Sequence, residues 1–182
     1  MSFIKTELDG VLIFEPKVFK DERGYFFESY NQKLFSEQGL NYNFVQDNQS
    51  KSSYGVLRGL HYQLGPHAQT KLVRVLKGKI LDVVVDIRIN SPKYKKWVAI
   101  ELRDEDFRQV LVPKGYAHGL VVLSDEAIVS YKCDAFYNKE SEGGIRFDDP
   151  DLNIDWKIPH EDLIISVKDL KNPYLKDARD SI

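Results

Sequence analysis

The chain is dominated by short apolar runs, many of them alternating with polar positions, which is the pattern typical of β-strands. The runs are rich in β-branched and aromatic residues, and turn signals such as Asn90-Ser91-Pro92 and Pro113-Lys114-Gly115 separate the later ones. This spacing favours an antiparallel sandwich or jelly roll over repeated βαβ units. The predicted strands cover residues 11–14, 25–30, 43–47, 56–61, 72–76, 80–87, 97–102, 109–112, 119–123 and 127–133.

Helical signals are few. Asn31 is a suitable N-cap and Gly39 a suitable stop for one helix over residues 32–38, and short helical turns are expected from about residue 161. With 182 residues, of which 42% are hydrophobic, the chain can bury a full core. Because no repeat or linker interrupts it, we predict a single domain over residues 1–182.

Side-chain alternation indicates which polar residues face inward. In the strand at residues 127–133 the odd positions are apolar apart from Tyr131, so Tyr131 is expected on the buried face. The same rule places His61 on the face of Leu57, and it places Asp82 opposite the apolar face of its strand. A bulge would reverse any of these assignments. A histidine, a tyrosine and a carboxylate facing one interior would form an acid–base set.

Composition excludes several functional classes. Net charge is −2, with 26 basic and 28 acidic residues mixed along the chain, which argues against a nucleic-acid or membrane surface. No apolar run approaches the length that a membrane-spanning helix needs. The single cysteine, Cys133, excludes an internal disulfide, and residues 1–7 lack the pattern of a signal peptide, so a cytoplasmic protein is expected.

Two histidine segments resemble the paired motifs of the cupin superfamily. The first runs from Gly55 to His61 and Gln63, and the second from Pro113 to His118 and Gly119. Where a metal-binding cupin would carry a second histidine, this chain has Gln63, and residues 64–69 contain no acid. A metal site with three or four ligands is therefore hard to build. We predict an all-β, cupin-type double-stranded β-helix or jelly roll with a few short helices, and no cofactor.

A more specific resemblance extends over residues 19–156 and 166–169. The segments that carry it follow one another in a fixed order, and together they resemble the dTDP-4-dehydrorhamnose 3,5-epimerase family. They are Asp21-Glu-Arg-Gly-Tyr-Phe-Phe-Glu28, Val45-Gln-Asp-Asn48, residues 56–63, Lys71-Leu-Val-Arg-Val75, residues 82–88, residues 113–119, Tyr131-Lys-Cys133 and Glu142-Gly-Gly-Ile-Arg-Phe-Asp-Asp-Pro150.

The resemblance implies a reaction and a catalytic set. The substrate would be a dTDP-4-keto-6-deoxyhexose, whose keto group acidifies the protons on C3 and C5, and both centres would be inverted through enolates without a cofactor. His61 would accept the proton, oriented by Asp169, and Tyr131 would donate one on the opposite face. Lys71 would stabilise the enolate oxygen. Asp82 would support the site by pairing with His118.

The resemblance also implies the residues that hold the nucleotide. Arg23, Arg58 and Lys168 would face the diphosphate, where guanidinium groups suit bidentate contacts. Tyr137 would stack on the thymine ring. The other matching polar positions are Glu28, Gln46, Asp47, Asn48, His118 and Glu142. A homodimer is expected as well, because a bare edge strand on a jelly roll is a liability that pairing removes.

Three alternatives remain open at this point. One is a sibling enzyme that acts at C3 or C5 only, or a ketoisomerase of a related nucleotide sugar. Another is a non-catalytic cupin that binds sugar, which would leave His61, Tyr131 and Lys71 unexplained. A metal-dependent cupin oxygenase is disfavoured, because Gln63 and the missing acid remove ligands.

Overall fold

The computed structural model describes residues 1–178, which form two six-stranded sheets, one hairpin and short helices. The strands are β1 (Ser2–Lys5), β2 (Leu12–Glu15), β3 (Phe19–Asp21), β4 (Gly24–Phe26), β5 (Gln46–Ser53), β6 (Val56–Gln63), β7 (Lys71–Lys77), β8 (Lys79–Asp86), β9 (Trp97–Arg103), β10 (Gln109–Val112), β11 (Tyr116–Val122), β12 (Glu126–Cys133), β13 (Glu142–Gly144) and β14 (Ile164–Ile165). The α-helices are α1 (Gln32–Glu37) and α2 (Val167–Leu170).

The two large sheets face each other as in a jelly roll, which confirms the predicted fold class. The first has the order β1-β2-β10-β7-β12-β5, and the second the order β13-β6-β11-β8-β9 with β14 beside β6. All pairings are antiparallel except that of β14 with β6. In the described part of the chain, no helix has the length and apolarity needed to span a membrane.

Apolar side chains form three clusters, of which the smallest contains Phe14, Phe35, Leu72 and Leu111. Between the sheets, β7, β10 and β12 contribute valines that pack against Ile80, Val84 and Leu102 of the second sheet. A C-terminal cover that includes Phe147 and Trp156 packs on the outer face of the second sheet. Because β8 is buried on both faces, its sequence is a nearly continuous apolar run rather than an alternating one.

Most predicted elements are confirmed, and α1 forms where it was expected. The Asn31 side chain accepts a hydrogen bond of 3.2 Å from the Leu34 amide as N-cap, and Gly39 follows the helix with a φ of +76°. The short helical turns expected near the C-terminus also form, as α2 and two 3₁₀ turns. The strands β1, β3, β13 and β14 were not predicted.

Two predicted strands are corrected. The strand expected at 43–47 lies instead at Gln46–Ser53, a polar segment that pairs along its whole length with β12. The strand expected at 25–30 is reduced to β4, which forms a hairpin with β3. β5 forms a strand although its residues have low strand propensity. Its complete ladder of hydrogen bonds with β12 compensates for the missing β-branched residues.

A bulge interrupts β6 where it pairs with β11. Gly59 and Leu60 of β6 lie opposite one residue of β11, Gly119. The backbones approach closely there, since a Cβ on Gly59 would lie 2.5 Å from the Cα of Gly119. Gly59 also has a φ of +135°, which side chains with a Cβ rarely adopt. Only glycine fits both conditions.

The bulge corrects one assignment made from the sequence. Simple alternation placed His61 on the face of Leu57, but the extra residue shifts the alternation by one. His61 and Arg58, three residues apart, therefore both face the interior cleft. Leu57 and Leu60 pack into the outer cluster. The assignment of Tyr131 to the inward face is confirmed, since it packs against the core between the sheets.

We expect Gly59→Ala to lower the free energy of unfolding by about 3 kcal/mol, since it combines a strained backbone with an overpacked contact. Gly39→Ala is the matched control, because Gly39 also has a positive φ but nothing lies within 4 Å of the place that an added methyl group would occupy. The control should cost only about 1 kcal/mol. Urea denaturation of both variants measures the difference, and equal costs would refute the role of the close approach.

Candidate functional site

A cleft opens into the space between the sheets and consists of two adjoining cavities of about 540 and 280 Å³. His61, Lys71 and Tyr131 line both cavities and so mark their junction. The larger cavity is also lined by the predicted residues Arg58, His118, Lys168 and Asp169. The smaller one is lined by Gln46, Asn48, Tyr137 and Glu142. The fold therefore brings eleven predicted site residues to one cleft.

His61 is held by a carboxylate from the C-terminal segment. Its Nε2 lies 2.6 Å from Oδ1 of Asp169 in α2. The parallel pairing of β14 with the start of β6 brings α2 beside the histidine. Ser166 begins this short helix by accepting a hydrogen bond of 3.0 Å from the Asp169 amide. The imidazole is thereby fixed at the junction of the cavities.

Asp169 is buried, but it remains an ionised partner for the histidine. Burial alone would raise the pKa of its carboxyl, whereas hydrogen bonds from His61, Ser166 and the Gly59 amide outweigh this effect. The pKa of Asp169 is consequently below its ordinary value. At neutral pH the carboxylate can therefore stabilise a proton on the imidazole.

A second histidine–carboxylate pair lies directly beside the first. His118 of β11 is the cross-strand partner of His61, and its Nε2 lies 2.7 Å from Oδ2 of Asp82. Asp82 is fully buried, and its other oxygen has no hydrogen-bond partner among residues 1–178. Asp82 thus does not line the cleft itself, but it holds the His118 ring that does, as expected of a supporting residue.

Lys71 and Tyr131 face the histidines from the first sheet. Burial lowers the pKa of the Lys71 ammonium, while the charges of Cys133, Asp82 and Glu142 act in the opposite direction. Burial, assisted by Cys133 and opposed by Arg58, raises the pKa of the Tyr131 phenol. The phenol therefore keeps its proton at neutral pH and can act as an acid.

A chain of three polar side chains connects the two cavities. Lys168 Nζ lies 2.6 Å from one oxygen of Glu142, and the Tyr137 hydroxyl donates to the other at 3.0 Å. Burial would raise the pKa of Glu142, but these two bonds and the charges of Lys168 and His61 hold it below its ordinary value. The bond to Glu142 raises the pKa of Tyr137 and that of Lys168. The Tyr137 ring is left exposed at the mouth of the cleft.

Three predicted residues are not brought to the cleft within this chain. The Arg23 side chain is 83% exposed in the β3–β4 hairpin and pairs with Asp21 at 2.5 Å. Glu28 accepts a hydrogen bond from Asn31 near α1. Asp47 occupies an outward position of β5 and pairs with Lys132 at 3.0 Å.

Several cleft residues were missed from the sequence. Ser50 lines the larger cavity, and Ser52 accepts a hydrogen bond of 3.1 Å from Arg58. Gln63 occupies the position of a missing metal ligand, and its amide forms hydrogen bonds with the loop that carries Tyr137. Ser166 had a usable signal, because Ser-x-x-Asp is a helix-capping pattern. Ser50 and Ser52 of β5 carry no such signal in the sequence, since their position at the cleft depends on the register of β5 with β12.

Within residues 1–178, no group of three or more His, Cys, Asp or Glu side chains is placed to hold a metal ion. Gln63, at the position of the missing ligand, directs its amide nitrogen to the carbonyl oxygen of His67 at 2.8 Å. The residues present thus offer two histidine–aspartate pairs rather than a ligand set. The absence of a cofactor stays a prediction.

The chain is similar to characterised sugar-nucleotide enzymes over nearly its whole length. A family profile described as dTDP-4-dehydrorhamnose 3,5-epimerase matches residues 5–177. The dTDP-4-dehydrorhamnose 3,5-epimerase of Shigella flexneri is 54% identical over 179 residues, covering 98% of both chains.

Solved structures show the same similarity. The crystal structure of dTDP-4-dehydrorhamnose 3,5-epimerase from Elizabethkingia anophelis is 59% identical, with a TM-score of 0.94 and 97% of each chain covered. The dTDP-6-deoxy-D-glucose-3,5-epimerase of Legionella pneumophila, in complex with dTDP-4-keto-L-rhamnose, is 46% identical, with a TM-score of 0.93. The similarity covers 97% of this chain and 93% of the Legionella pneumophila chain.

Asp169→Asn should lower the free energy of unfolding at neutral pH by roughly 1.5–3 kcal/mol, the contribution of a hydrogen bond to a charged group. Because the folded-state pKa of Asp169 is depressed, this contribution is present above its ordinary value of 3.8 and is lost as the pH falls through the lowered pKa. Urea denaturation at pH 7 and at about pH 3 should show the gap between variant and wild type closing. The exposed Asp125→Asn is the control, and a gap for Asp169→Asn that does not change with pH would contradict the assignment.

Proposed function

The chain belongs to the dTDP-4-dehydrorhamnose 3,5-epimerase family, and on this basis we propose that it converts dTDP-4-dehydro-6-deoxy-D-glucose to dTDP-4-dehydro-L-rhamnose by inverting C3 and C5. The reaction belongs to dTDP-L-rhamnose biosynthesis. The observation that carries the proposal is the junction of the two cavities, where His61, Lys71 and Tyr131 meet. These three side chains supply a base, a cation and an acid around one point.

Proton removal is assigned to His61. The 4-keto group acidifies the hydrogens on C3 and C5, because the electrons left behind delocalise onto the keto oxygen as an enolate. The neutral imidazole accepts the proton, and the Asp169 carboxylate at 2.6 Å stabilises the imidazolium that forms. The histidine then exchanges this proton with solvent, since its side chain remains about one-third exposed.

The enolate and the second proton transfer are assigned to the first sheet. The Lys71 ammonium stabilises the negative charge on the enolate oxygen. The site is partly buried, so this interaction between charges is stronger than it would be in water. Tyr131 donates a proton to the face opposite His61, which inverts the carbon, and its phenolate then takes a proton from solvent before the second inversion. Its raised pKa keeps the phenol protonated until it donates. Each inversion moves only protons, so the proposal includes no cofactor.

Nucleotide binding is assigned to the rim of the cleft. Arg58 and Lys168 line the larger cavity and offer cations to the diphosphate. The exposed ring of Tyr137 offers a flat surface for the thymine base. A contact with the sugar from the side of the second sheet is assigned to His118, whose ring is held by Asp82.

The proposal is tested by proton NMR of dTDP-4-dehydro-6-deoxy-D-glucose incubated with the protein in heavy water without added metal. Deuterium should appear at both C3 and C5, together with signals of the inverted sugar. Deuterium at one carbon alone would indicate a single-centre epimerase. No deuterium at either carbon would refute catalysis and leave a sugar-binding protein.

His61→Ala and Tyr131→Phe should fail differently in the same assay. Loss of the base should lower exchange at both carbons by about 10²–10⁴-fold. Loss of the phenol should spare some exchange, because His61 can return a deuteron to the face it came from, but it should block inversion. Wild-type rates in either variant would remove that residue from the mechanism.

The position of Arg23 supports a homodimer. The hairpin exposes Phe19 (52%), Tyr25 (60%) and Phe26 (67%), a cluster of aromatic surface that is unusual for an isolated chain. The hairpin packs on the outer face of the first sheet, since Tyr25 contacts Phe27 and Phe27 contacts Arg74, which lies between the inward-facing Val73 and Val75. Arg23 is therefore separated by a sheet from the cleft of its own chain.

We propose that a two-fold dimer places the hairpin of each copy at the cleft of the other, so that Arg23 reaches the diphosphate bound by its neighbour. An isologous contact of this kind would bury the exposed aromatic residues of both hairpins. It would also reconcile the predicted role of Arg23 with its position. Light scattering that gives a monomer at working concentration would refute the dimer.

Mixing variants tests the sharing of the site. Arg23→Ala and His61→Ala homodimers should each lose activity, about tenfold or more in kcat/KM for Arg23→Ala. Heterodimers isolated with two affinity tags should recover about half the wild-type activity, because one of their two sites has both residues. Heterodimers of Arg58→Ala with His61→Ala are the control and should not recover, since both residues line the cleft of one chain. Equal results for the two mixtures would show that Arg23 serves its own chain.

A further inference from the structure

The loop that carries Tyr137 is held by three glutamine side chains from separate segments. Gln46 accepts a hydrogen bond of 3.0 Å from the Tyr137 amide, and Gln69 donates one of 2.8 Å to the carbonyl of Ala135. Gln63 accepts one of 2.7 Å from the Asn138 amide. These three glutamines fix the backbone on both sides of Tyr137.

Apolar packing contributes little to the conformation of this loop. The side chains of Phe136 and Tyr137 are both mostly exposed, at 68% and 53%. The loop is thus positioned by hydrogen bonds to its backbone rather than by burial of its side chains. Removing one of those bonds should therefore affect the Tyr137 ring directly.

Gln63 makes the most contacts of the three and is itself buried. Besides accepting from Asn138, its amide nitrogen donates to the carbonyl of His67 at 2.8 Å and approaches that of Phe136 at 3.5 Å. A side chain that both donates and accepts is required here, which an amide satisfies and a carboxylate does not. Gln63, at the position where a metal-binding cupin would carry a histidine, therefore connects the 135–138 loop with the turn at His67.

We propose that Gln63 is a positioning residue for base recognition, which orders the 135–138 loop so that the Tyr137 ring is preorganised to stack on the base of the nucleotide. This inference rests on the proposed function, in which Tyr137 binds thymine. Stacking depends on the ring being in place before the ligand arrives, because ordering it during binding would reduce affinity. Gln63 touches no reacting atom in this scheme, so it should influence KM and leave kcat at saturation nearly unchanged.

The test measures binding of dTDP and of pyrophosphate by calorimetry to the full-length protein. Gln63→Leu removes both functions of the amide, and Gln63→Glu keeps the acceptor but directs an ionised carboxylate at two carbonyl oxygens. Gln49→Glu is the charge-matched control, since Gln49 lies at an exposed position of β5. We expect both Gln63 variants to bind dTDP about tenfold more weakly, with pyrophosphate binding unchanged, which also shows that they are folded.

Two further readings separate positioning from a general structural effect. Relative to the wild type at the same pH, Gln63→Glu should regain dTDP affinity as the pH falls and its carboxyl becomes a donor. Gln63→Leu should add no further loss in a Tyr137→Ala background, because the two residues act through one contact. Wild-type dTDP affinity in both variants, equal loss of pyrophosphate, or additivity with Tyr137→Ala would each overturn the inference. A wild-type protein that does not bind dTDP would instead overturn the proposed function.

Discussion

The arrangement of the cleft depends on the bulge in β6. His61 and Arg58 lie three residues apart, and in a regular strand they would point to opposite faces of the sheet. The extra residue at Gly59–Leu60 turns both side chains into the cleft and leaves the leucines facing the outer cover. The bulge is possible because Gly59 and Gly119 carry no Cβ where the two backbones meet. Two glycines thus determine where the His61 imidazole and the Arg58 guanidinium lie.

The two carboxylates that support the histidines of the cleft are buried. Asp82 is completely buried and Asp169 nearly so. Burial makes a single charge costly, and each carboxylate is therefore paired with an imidazole. For Asp169 the hydrogen bonds outweigh burial, which is why its pKa falls rather than rises. The C-terminal segment therefore covers the second sheet and also supplies Asp169 to the histidine.

The strands with apolar patterns could be predicted from the sequence, because burial on a sheet leaves a regular signal. Both bounds of β10 follow from it, and those of β8, β9 and β12 follow to within one residue. β5 does not, since its polar side chains face the cleft and only its register with β12 makes it a strand. The face of His61 depended on a bulge that the local sequence does not reveal. Of the predicted site, Asp169 was found by resemblance alone, because it is 108 residues from His61 in the chain.

The charges in the cleft support the proposal that a second chain contributes to the site. Each phosphate of a nucleotide-sugar diphosphate carries a negative charge at neutral pH, so its recognition needs several cations. Lys168 is already paired with Glu142, and Lys71 lies at the junction of the two cavities with His61 and Tyr131. Among the cleft residues of the described chain, this leaves Arg58 as a cation bonded only to a neutral partner, Ser52. A further guanidinium supplied from outside the chain would balance the diphosphate, and Arg23, exposed on an aromatic hairpin, has the charge and the accessibility to do so.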